Sequence, residues 1–597
     1  MTTQSPLVWA DDGQPRSRLY GDVYFSTQDG LAESRAVFLA GCGLPQAWSG
    51  RRRFTVAELG FGAGLNILAL LDLWRATAPT DAHLHIFSVE AHPLSAQEAA
   101  RALAAWPELA EIADVLIATW PGQARGFHRV DLPAFNATLD LAVMEAEPAL
   151  RAWGGEADAW FLDGFSPALN PDMWRDDLLA LVAERSAPDA RAATFTVAGA
   201  VRRGLQAAGF SIEKRPGHGR KRERLEARLS GPPRVEAPPP RVAVIGAGIA
   251  GVNAARALRA LGCAPLLIAG GGPAASGNPA ALVTPRLDSG LGPVARLAAQ
   301  AFNRAVSLYG ADSVIARGVL QLATGERDPE RFERIAACDL FEPGALTPID
   351  AAQASARLGD AVPAALDLRT ALVVEPAAVL AGWSGPVLAA EVARLERRDG
   401  VWTMLDATGA VIVQVEAVIL AAGQAGSQLR PDLPLKPVRG QASWTQGGET
   451  APAVAWGGYV LPTRSGVLFG ATHDRDETAV DVRAADHDRN RATLAEALPN
   501  LAAALPQAPL EGRAGVRATT PDHLPLAGPV AGAAGLFALT GFGSRGFCLA
   551  PLLAEHVAAL VLDAPSPLPT DLAALVDPDR FRARAARRGR NSVPNGS

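Results

Sequence analysis

Apolar segments of strand length alternate with segments of helical periodicity in the first third of the chain. Phe54–Leu59, His83–Val89 and Ala193–Val197 have the pattern of buried strands, and Ile67–Trp74 and Leu178–Glu184 have the pattern of helices. This alternation is typical of a doubly wound, mainly parallel sheet, in which ligands bind at the carboxyl ends of the strands. We therefore predict an α/β domain with its site at those strand ends.

A second α/β region begins at Val242–Arg259. Here a four-residue apolar strand pattern passes through Gly246, Gly248 and Gly251 into an apolar-periodic helix. This is the dinucleotide-binding pattern, because glycines permit the tight turn, the close approach of a pyrophosphate and the close packing of helix on strand. The pattern predicts a Rossmann-type domain in the second half of the chain.

The segment Gly231–Arg241 separates the two regions, and it has five prolines and no apolar periodicity. A chain of 597 residues is too long for one hydrophobic core. We therefore predict a first domain over residues 1–230, a stiff Pro-rich linker over 231–241 and a second domain over 242–597.

Composition narrows the class of protein. Hydrophobic residues make up 49% of the chain and charged residues 20%, as in an ordinary globular protein. The four cysteines are far apart and form no CxxC pair, so we expect neither a structural metal nor a disulfide framework, and a cytoplasmic location is the simplest expectation. No segment has the pattern of a signal peptide or a membrane span, so no membrane partner is expected.

Positive charge is concentrated in three clusters, Arg51–Arg53, Lys214–Arg224 and Arg580–Arg590. A basic cluster is typical either of a solvated surface or of a surface that binds nucleic acid. The net charge of −6 by itself argues against a nucleic-acid partner. Charge alone therefore leaves both interpretations open.

The first glycine-rich turn, with Gly60, Gly62 and Gly64, follows a predicted strand that has Glu58 near its end. Glu90 ends the next predicted strand, where a carboxylate can accept hydrogen bonds from both ribose hydroxyls of an adenosine. The turn lacks the G-x-G-x-x-G spacing expected around a pyrophosphate, which favours S-adenosylmethionine as the ligand. A purely structural turn is the alternative.

Asp163 lies at a further predicted strand end, in the segment WFLDGFSPALNPDMW. A carboxylate there can bind an amine and orient it for attack on a methyl group, and Trp160, Phe165 and Trp174 can stack on a base. An Asx turn surrounded by core aromatic residues is the alternative interpretation.

Five segments of the first half resemble the methyltransferase half of the bifunctional tRNA 5-methylaminomethyl-2-thiouridine biosynthesis family. They are Asp22–Leu39, Glu58–Asn66, Asp158–Trp174, Thr194–Phe210 and Gly217–Glu223. The resemblance implies methylation of the amine of 5-aminomethyl-2-thiouridine at the wobble position of tRNA. It also implies that Asp163 faces this amine.

The same resemblance implies which residues bind S-adenosylmethionine and tRNA. The basic segment would contact phosphates of the anticodon loop, and Phe165 would contact the substrate base. The implied ligands of S-adenosylmethionine are Glu58, Gly60, Gly62, Gly64 and Glu90, and the implied phosphate contacts are Arg220, Lys221 and Arg222.

The second half resembles FAD-dependent amine oxidases of the glycine oxidase and D-amino-acid oxidase type. The resemblance rests on Ala274–Arg286, Leu435–Gln441, Gly515–Pro529 and Leu536–Ala558, although Ala264–Gly272 lacks the acidic residue that usually binds the ribose. A polar surface loop is the alternative for the first of these segments. The implied FAD ligands are Gly246, Gly248, Gly251, Ser276, Gly277, Asn278, Gly543 and Gly546.

The second half is further predicted to contain two layers. An FAD layer would comprise residues 242–290, 415–435 and 512–562. An α+β substrate domain with an antiparallel sheet would comprise residues 291–414 and 436–511, because Tyr459–Thr463 and Val467–Gly470 are joined by a short turn.

The resemblance implies that the flavin half removes the carboxymethyl group from 5-carboxymethylaminomethyl-2-thiouridine. An arginine suits the substrate carboxylate because its planar fork makes two parallel hydrogen bonds. Arg545 is the first candidate, with Arg439 and Arg517 as alternatives, and structural ion pairing is the competing interpretation for all three. We interpret His523 as a surface histidine.

Three classes of function therefore compete. The leading hypothesis is a bifunctional tRNA-modifying enzyme that uses FAD and S-adenosylmethionine. The second is a small-amine oxidase of the glycine or sarcosine type fused to a small-molecule N-methyltransferase. The third, a regulatory or scaffold protein with degraded sites, is opposed by the intact set of Glu58, Glu90 and Asp163.

Overall fold

The computed structural model describes residues 5–11, 13–26, 29–219, 221–232, 234, 236–272, 274–447, 451–506 and 508–591. The chain divides into two compact units, one comprising Met1–Pro238 with the short segments Ala260–Gly262 and Pro565–Thr570, and the other comprising the remaining residues. Within the first unit, the Glu236 carboxylate accepts hydrogen bonds from Nε of Arg51 at 2.7 Å and from the Arg52 N–H at 2.9 Å. These bonds attach part of the Pro-rich segment to the first unit.

The strands of the first unit are β1 (Leu7–Trp9), β2 (Pro15–Ser17), β3 (Arg53–Leu59), β4 (His83–Glu90), β5 (Gly126–Leu132), β6 (Ala137–Val143), β7 (Ala157–Leu162), β8 (Ser186–Thr194), β9 (Phe210–Pro216) and β10 (Glu223–Leu229). The main sheet has the order β5-β6-β4-β3-β7-β8-β10-β9. The pairs β6·β4, β4·β3, β3·β7 and β7·β8 are parallel, and the pairs at both edges are antiparallel. The carboxyl ends of β3, β4 and β7 therefore lie at the same edge of the sheet.

The helices of the first unit are α1 (Gly30–Glu33), α2 (Leu65–Thr77), α3 (Ala96–Leu103), α4 (Ala110–Ala118), α5 (Ala146–Ala152), α6 (Asp176–Glu184) and α7 (Gly199–Ala207). Helix α3 begins at a capping box, in which the Ser95 side chain and the Glu98 side chain each bind the backbone N–H of the other residue. Helix α2 follows Gly64, whose φ of 77° lies in the left-handed region. This turn lets the chain leave β3 and enter α2 directly.

The strands of the second unit are β11 (Val242–Ile245), β12 (Leu266–Ala269), β13 (Ala281–Val283), β14 (Val314–Leu322), β15 (Leu346–Ile349), β16 (Ala365–Val374), β17 (Val387–Ala389), β18 (Arg394–Arg398), β19 (Val401–Leu405), β20 (Val411–Val415), β21 (Ala417–Leu420), β22 (Lys436–Gln446), β23 (Val454–Ala455), β24 (Tyr459–Pro462), β25 (Gly466–Gly470), β26 (Asp474–Arg475), β27 (Glu511–Thr519), β28 (Leu526–Pro529) and β29 (Leu536–Thr540). One sheet has the order β17-β12-β11-β21-β29-β28 and is parallel except for β28. A second, mainly antiparallel sheet has the path β13-β16-β14-β23-β24-β25-β22-β26. Strands β18, β19 and β20 form a separate antiparallel sheet.

The helices of the second unit are α8 (Ile249–Ala260), α9 (Pro293–Leu308), α10 (Asp328–Ala336), α11 (Ala351–Leu358), α12 (Pro376–Ser384), α13 (Gly426–Leu429), α14 (Ala484–Ala497), α15 (Pro499–Ala504), α16 (Gly546–Val561), α17 (Thr570–Val576) and α18 (Arg580–Asn591). Helices α9 and α16 pack together, and the buried Glu555 carboxylate of α16 forms ion pairs with Arg304 and Arg256. Tyr309 adds a hydrogen bond of 2.6 Å from its hydroxyl to the Phe547 carbonyl. This packing fixes the start of α16, which is important for the site.

Three strands correct the predicted boundaries between the two layers of the second unit. Ala281–Val283 and Glu511–Thr519, assigned wholly or mainly to the FAD layer, pair instead with β16 and β22 of the antiparallel sheet. Val387–Ala389, assigned to the substrate domain, pairs with β12 of the parallel sheet. Which sheet a strand joins depends on a partner far away in sequence, and local periodicity does not show it.

Strand β8 ends at Thr194, three residues before the predicted end at Val197. The hydroxyl of Thr194 accepts the Thr196 N–H at 3.3 Å, and the hydroxyl of Thr196 accepts the Ala198 N–H at 3.3 Å. These side-chain bonds replace the ladder bonds that would continue the strand. No helix within the described residues is long and apolar enough to cross a membrane.

Candidate functional sites

The glycine turn between β3 and α2 lies against the turn that follows β7. Gly60, Gly62 and Gly64 all have positive φ, at 92°, 54° and 77°. A Cβ atom at Gly60 would lie 3.1 Å from the Cα and N atoms of Gly164, so a side chain there would force the two turns apart. Glycine is therefore required both by conformation and by the closeness of the second turn.

Glu90 lies beside this turn at the end of β4. Its Oε2 accepts a hydrogen bond from the Gly62 N–H at 3.0 Å, and its Oε1 accepts one from the His92 N–H at 2.9 Å. Each carboxylate oxygen can accept more than one hydrogen bond, so the group can still bind ribose hydroxyls. This position is compatible with binding of the ribose of S-adenosylmethionine, which stays a prediction for Glu90.

Glu58 lies deeper, with none of its surface exposed. Its Oε2 accepts a hydrogen bond from the Ser88 hydroxyl at 2.6 Å, and its Oε1 accepts one from Nδ2 of Asn66 at 3.1 Å. Burial raises the pKa of Glu58 to about 8. The expected direct contact of Glu58 with S-adenosylmethionine is therefore corrected: its carboxyl group is enclosed by the protein and bonds the side chains of Ser88 and Asn66 instead.

Asp163 is the half-buried carboxylate at the end of β7. Its Oδ2 accepts a hydrogen bond of 2.8 Å from Nδ2 of the same Asn66. Burial raises the pKa of Asp163 to about 6, against the opposing effects of the Asn66 hydrogen bond and of the Lys221 ammonium. An acid with this pKa is charged at neutral pH and can accept a proton from a cationic amine.

The aromatic residues around Asp163 divide into two groups. Trp160 is fully buried and donates from Nε1 to the Ser186 hydroxyl at 2.8 Å, and Trp174 is buried and donates to the Phe165 carbonyl at 3.0 Å. These two tryptophans are core residues, and the idea that they stack on a base is corrected. Phe165 is half-buried instead, with its ring 5.0 Å from the ring of Tyr20 and 5.5 Å from that of Tyr24. Neither tyrosine was singled out from the sequence, because no local pattern marks them.

Three basic residues of the cluster Lys214–Arg224, namely Lys214, Arg215 and Arg224, are paired with acidic residues of the β9–β10 hairpin. Lys214 pairs with Glu223 at 2.7 Å, and Arg224 pairs with Glu226 at 2.7 Å. Lys221 pairs with Glu33 at 2.9 Å and lies 4.0 Å from the centre of the Phe195 ring. Lys221 and Arg222 are exposed and line a cavity of about 350 Å³, together with Phe195–Ala198 and Glu223. Arg220 lies outside the described residues.

The glycine turn of the second unit is constrained by packing. A Cβ atom at Gly246, where φ is 107°, would lie 2.5 Å from the Ala421 carbonyl oxygen, and a Cβ atom at Gly251 would overlap the Gly246 carbonyl oxygen. At Gly248, a Cβ atom would come within 3.3 Å of the Ser276 hydroxyl. The turn therefore brings the first residues of α8 against the loop that contains Ser276.

This loop, residues 274–278, lies across the start of α8. The Ser276 hydroxyl accepts the Ile249 N–H at 3.1 Å, and a Cβ atom at Gly277 would lie 2.6 Å from the Arg513 guanidinium. Asn278 follows in the same loop and is half-buried. A helix N-terminus surrounded by small residues suits a pyrophosphate, so these residues fit a bound dinucleotide.

The second glycine-rich turn of this unit approaches the same region. Gly543 has a φ of 56° and donates its N–H to the Ala518 carbonyl at 2.9 Å. A Cβ atom at Gly546, the first residue of α16, would lie 2.9 Å from the Ile249 side chain. The N-termini of α8 and α16 are therefore close together, and both ends attract negative charge.

A cavity of about 530 Å³ opens beside this turn. Arg545, directly before α16, lines it, and among the described residues its guanidinium makes no hydrogen bond and no ion pair. Partial loss of solvent and repulsion by Arg286 lower the pKa of Arg545. The other charged or titratable side chains of the cavity wall are Arg286, Lys436, His473, Arg475, Asp476 and His523. The cavity is therefore suited to an anion.

The alternatives to Arg545 differ from it in their surroundings. Arg439 is fully buried, with hydrogen bonds to Asp486 at 2.6 Å, to Gln441 at 3.2 Å and to two backbone carbonyls. Its predicted contact with substrate is corrected, because its donors are used inside the protein. Arg517 packs on Gly440 and donates to the Thr472 carbonyl at 3.4 Å, and it does not line the cavity.

His523 is exposed and also lines the cavity, with a φ of 59°. The loop that contains it is held by the Asp522 carboxylate, which binds Arg580 at 2.9 Å and Arg584 at 2.7 Å. These arginines belong to the predicted basic cluster Arg580–Arg590. Part of that cluster therefore has a structural role in supporting the cavity wall.

Comparison with known proteins identifies a family for each part of the chain. The chain matches the S-adenosyl-L-methionine-dependent methyltransferase family over residues 107–230 and the FAD dependent oxidoreductase family over residues 241–560. Glycine oxidase from Geobacillus kaustophilus is similar in structure, with 23% identity, a TM-score of 0.47, and coverage of 56% of this chain and 97% of that chain. The chain is a methyltransferase fused to an FAD-dependent oxidoreductase. This confirms the predicted fold class and both cofactors, FAD and S-adenosylmethionine.

Full-length relatives define the family more narrowly. The tRNA 5-methylaminomethyl-2-thiouridine biosynthesis bifunctional protein MnmC of Caulobacter sp. (strain K31) is 62% identical, over 98% of this chain and 99% of that protein. The protein of the same name from Maricaulis maris (strain MCS10) is 42% identical, over 98% of this chain and 97% of that protein. The chain therefore belongs to this family of bifunctional enzymes, as the resemblance predicted.

Proposed function

We propose that this enzyme modifies the wobble uridine of tRNA in two steps. The second unit removes the carboxymethyl group from 5-carboxymethylaminomethyl-2-thiouridine. The first unit then methylates the resulting amine to give 5-methylaminomethyl-2-thiouridine. One observation carries the proposal: identity of 62% to a protein named for this biosynthesis extends over 98% of the chain, and so includes both units.

In the oxidative step, the residues of the second unit hold and orient the substrate. Arg545, which has no partner among the described side chains, is proposed to bind the substrate carboxylate through two parallel hydrogen bonds. Bound FAD would supply the acceptor for the hydride that leaves the carbon between nitrogen and carboxylate. Water then adds to the resulting imine of the substrate and releases glyoxylate, leaving the primary amine on the nucleoside. Holding the carboxylate at one fixed point places the reacting C–H bond at a defined distance and angle.

In the methylation step, the amine must lose a proton before its lone pair can attack. Asp163 is proposed to accept this proton, because its pKa of about 6 leaves it charged at neutral pH. S-adenosylmethionine is proposed to lie over the turn of Gly60, Gly62 and Gly64, with its ribose at Glu90. Methyl transfer needs a linear arrangement and a deprotonated nitrogen, so positioning supplies most of the rate without a metal ion.

Phe165, with Tyr20 and Tyr24, is proposed to contact the substrate base. The exposed Lys221 and Arg222, and Arg220 beyond the described residues, are proposed to contact anticodon-loop phosphates. Because most of this cluster is paired internally, we expect its contribution to tRNA affinity to be modest. We also propose that the enzyme acts in the cytoplasm.

Nucleoside analysis of tRNA tests the proposal. A strain that lacks the protein should accumulate 5-carboxymethylaminomethyl-2-thiouridine. When the deletion strain instead expresses Asp163→Asn, the primary amine should accumulate, because only the oxidative step remains. When the deletion strain expresses Arg545→Met, the carboxymethylated nucleoside should remain the main species, because the oxidative step is impaired. Unaltered tRNA in the deletion strain would reject the proposal in favour of a small-amine substrate.

A further inference from the structure

The side chain of Asn66 lies between the two carboxyl groups of the first unit. Its Nδ2 donates one hydrogen bond to Oε1 of Glu58 at 3.1 Å and another to Oδ2 of Asp163 at 2.8 Å. The residue is 7% exposed and is the second residue of α2. A carboxamide nitrogen has two hydrogens, so the two acids use both of them.

The orientation of this amide is also fixed. The Ser34 hydroxyl, which is buried, donates a hydrogen bond of 2.7 Å to Oδ1 of Asn66. Reversal of the amide would place its oxygen against the charged Asp163 carboxylate and its NH2 group against the Ser34 hydroxyl. Ser88 in turn holds the far oxygen of Glu58 at 2.6 Å. Both polar atoms of the amide therefore have defined partners, and no such network is expected from a residue that only fills space.

We infer that Asn66 is a positioning residue for methyl transfer: it holds the Asp163 carboxylate in the orientation that receives the substrate amine. The inference rests on the proposed function. Asp163 receives no other side-chain hydrogen bond from the described part of the chain. The terminal torsion of an aspartate is broad, so a carboxylate without this bond turns easily away from a required direction. Glu58 acts through Asn66, because its buried carboxyl group fixes the amide from the opposite side.

The groups around Asp163 determine how loss of the Asn66 hydrogen bond would change the pKa of this carboxylate. Lys221 favours the charged carboxylate, Glu33 opposes it, and Glu58 lies on the far side of the amide. The Gly164 N–H also favours the charged form. The Asn66 hydrogen bond adds to these favourable effects, and its removal raises the pKa of Asp163 further. A change at residue 66 should therefore alter both the rate and its dependence on pH.

The test compares wild type with Asn66→Leu, which keeps the approximate shape and removes both donors. Full-length holoenzyme is assayed for transfer of a labelled methyl group to tRNA that has the primary amine. We expect kcat to fall about 100-fold, as a misplaced reacting group does, and KM for S-adenosylmethionine to change less than about threefold. The acid limb of the pH profile should move to higher pH. The little-changed KM for S-adenosylmethionine serves as the folding control for the first unit, because flavin-dependent activity reports only the second unit.

Two results would overturn the inference. One is a kcat of Asn66→Leu within about threefold of wild type, and the other is a reduced kcat with an unmoved acid limb, which would indicate a merely structural role. If this variant does not fold, Ser34→Ala tests the same network by releasing the amide oxygen. We then expect a smaller fall in kcat, with the limb moved in the same direction, and an unchanged profile would again overturn the inference. Wild-type enzyme with no activity on this tRNA would reject the proposed function instead.

Discussion

Replacing Arg439 and Arg545 one at a time separates two arginines that the sequence offers as candidates for the same role, the binding of the substrate carboxylate. In Arg439→Met, the Asp486 carboxylate loses a partner at 2.6 Å, and the Ala479 and Asp481 carbonyls lose their donors. Breaking a buried ion pair costs about 3–5 kcal/mol. Arg489 still binds the other oxygen of Asp486 at 3.0 Å, so we expect the lower value, about 3 kcal/mol.

This free energy converts into a measurable change in melting temperature. The second unit has roughly 350 residues, which corresponds to an unfolding entropy of about 0.7 kcal/mol per degree. Arg439→Met should therefore melt about 4 °C below wild type. Release of flavin fluorescence on heating, checked by scanning calorimetry, reports unfolding of this unit. The KM for the carboxymethylated substrate should change little.

Arg545→Met is the matched variant and should show the opposite pattern. Its guanidinium has no partner among the described residues, so we expect a melting temperature within about 1 °C of wild type. Loss of a charge-assisted contact to the substrate is worth about 1.5–3 kcal/mol, or about 10- to 100-fold in KM. An Arg439→Met enzyme that melts normally but has a tenfold higher KM would refute this reasoning.

Three further predictions follow from the geometry of single residues. Because the pKa of Asp163 is about 6, kcat/KM for methyl transfer should fall about tenfold per pH unit below that value, and a flat profile from pH 5 to 7 would contradict this role. Gly251→Ala should be purified without FAD, because its Cβ atom would overlap the Gly246 carbonyl oxygen. Gly271→Ala is the matched control, since a Cβ atom there meets no neighbouring atom, and it should retain the flavin absorbance; equal flavin content in both variants would contradict this reasoning. Because the pKa of Glu58 is raised to about 8, the free energy of unfolding of the first unit should decrease as pH rises from about 4.5 to 8. Urea unfolding of Glu58→Gln should lack this decrease, and the same pH dependence in both proteins would contradict the buried acid.

The features that could be predicted from the sequence are those with a local cause. The turn at Gly60, Gly62 and Gly64 and the strand ends at Glu90 and Asp163 follow from apolar periodicity and glycine spacing, because each depends on a few neighbouring residues. In the same way, the helix that begins at Ile249 follows directly from its glycines.

The features that could not be predicted depend on partners distant in sequence. Arg439 and Arg545 differ only because Asp486 reaches the first and no described carboxylate reaches the second. No sequence pattern distinguishes Asn66 from other polar residues, because its role depends on the fold, which places Glu58 and Asp163 within hydrogen-bond distance of its amide. In each case the role of the residue depends on a tertiary contact.

Opposite charges at the two sites explain why the proposed reactions need separate units. The substrate of the oxidative step has a carboxylate, and the cavity of the second unit offers it Arg545, Arg286 and Lys436. The product of that step has no carboxylate and keeps an amine, cationic in water, to which the first unit offers Asp163. Removal of the carboxymethyl group thus removes the negative charge and leaves only a cation to be recognised. Cationic side chains that bind the carboxylate of the first compound have no partner in the second and repel its amine, so each site favours the form on which it acts.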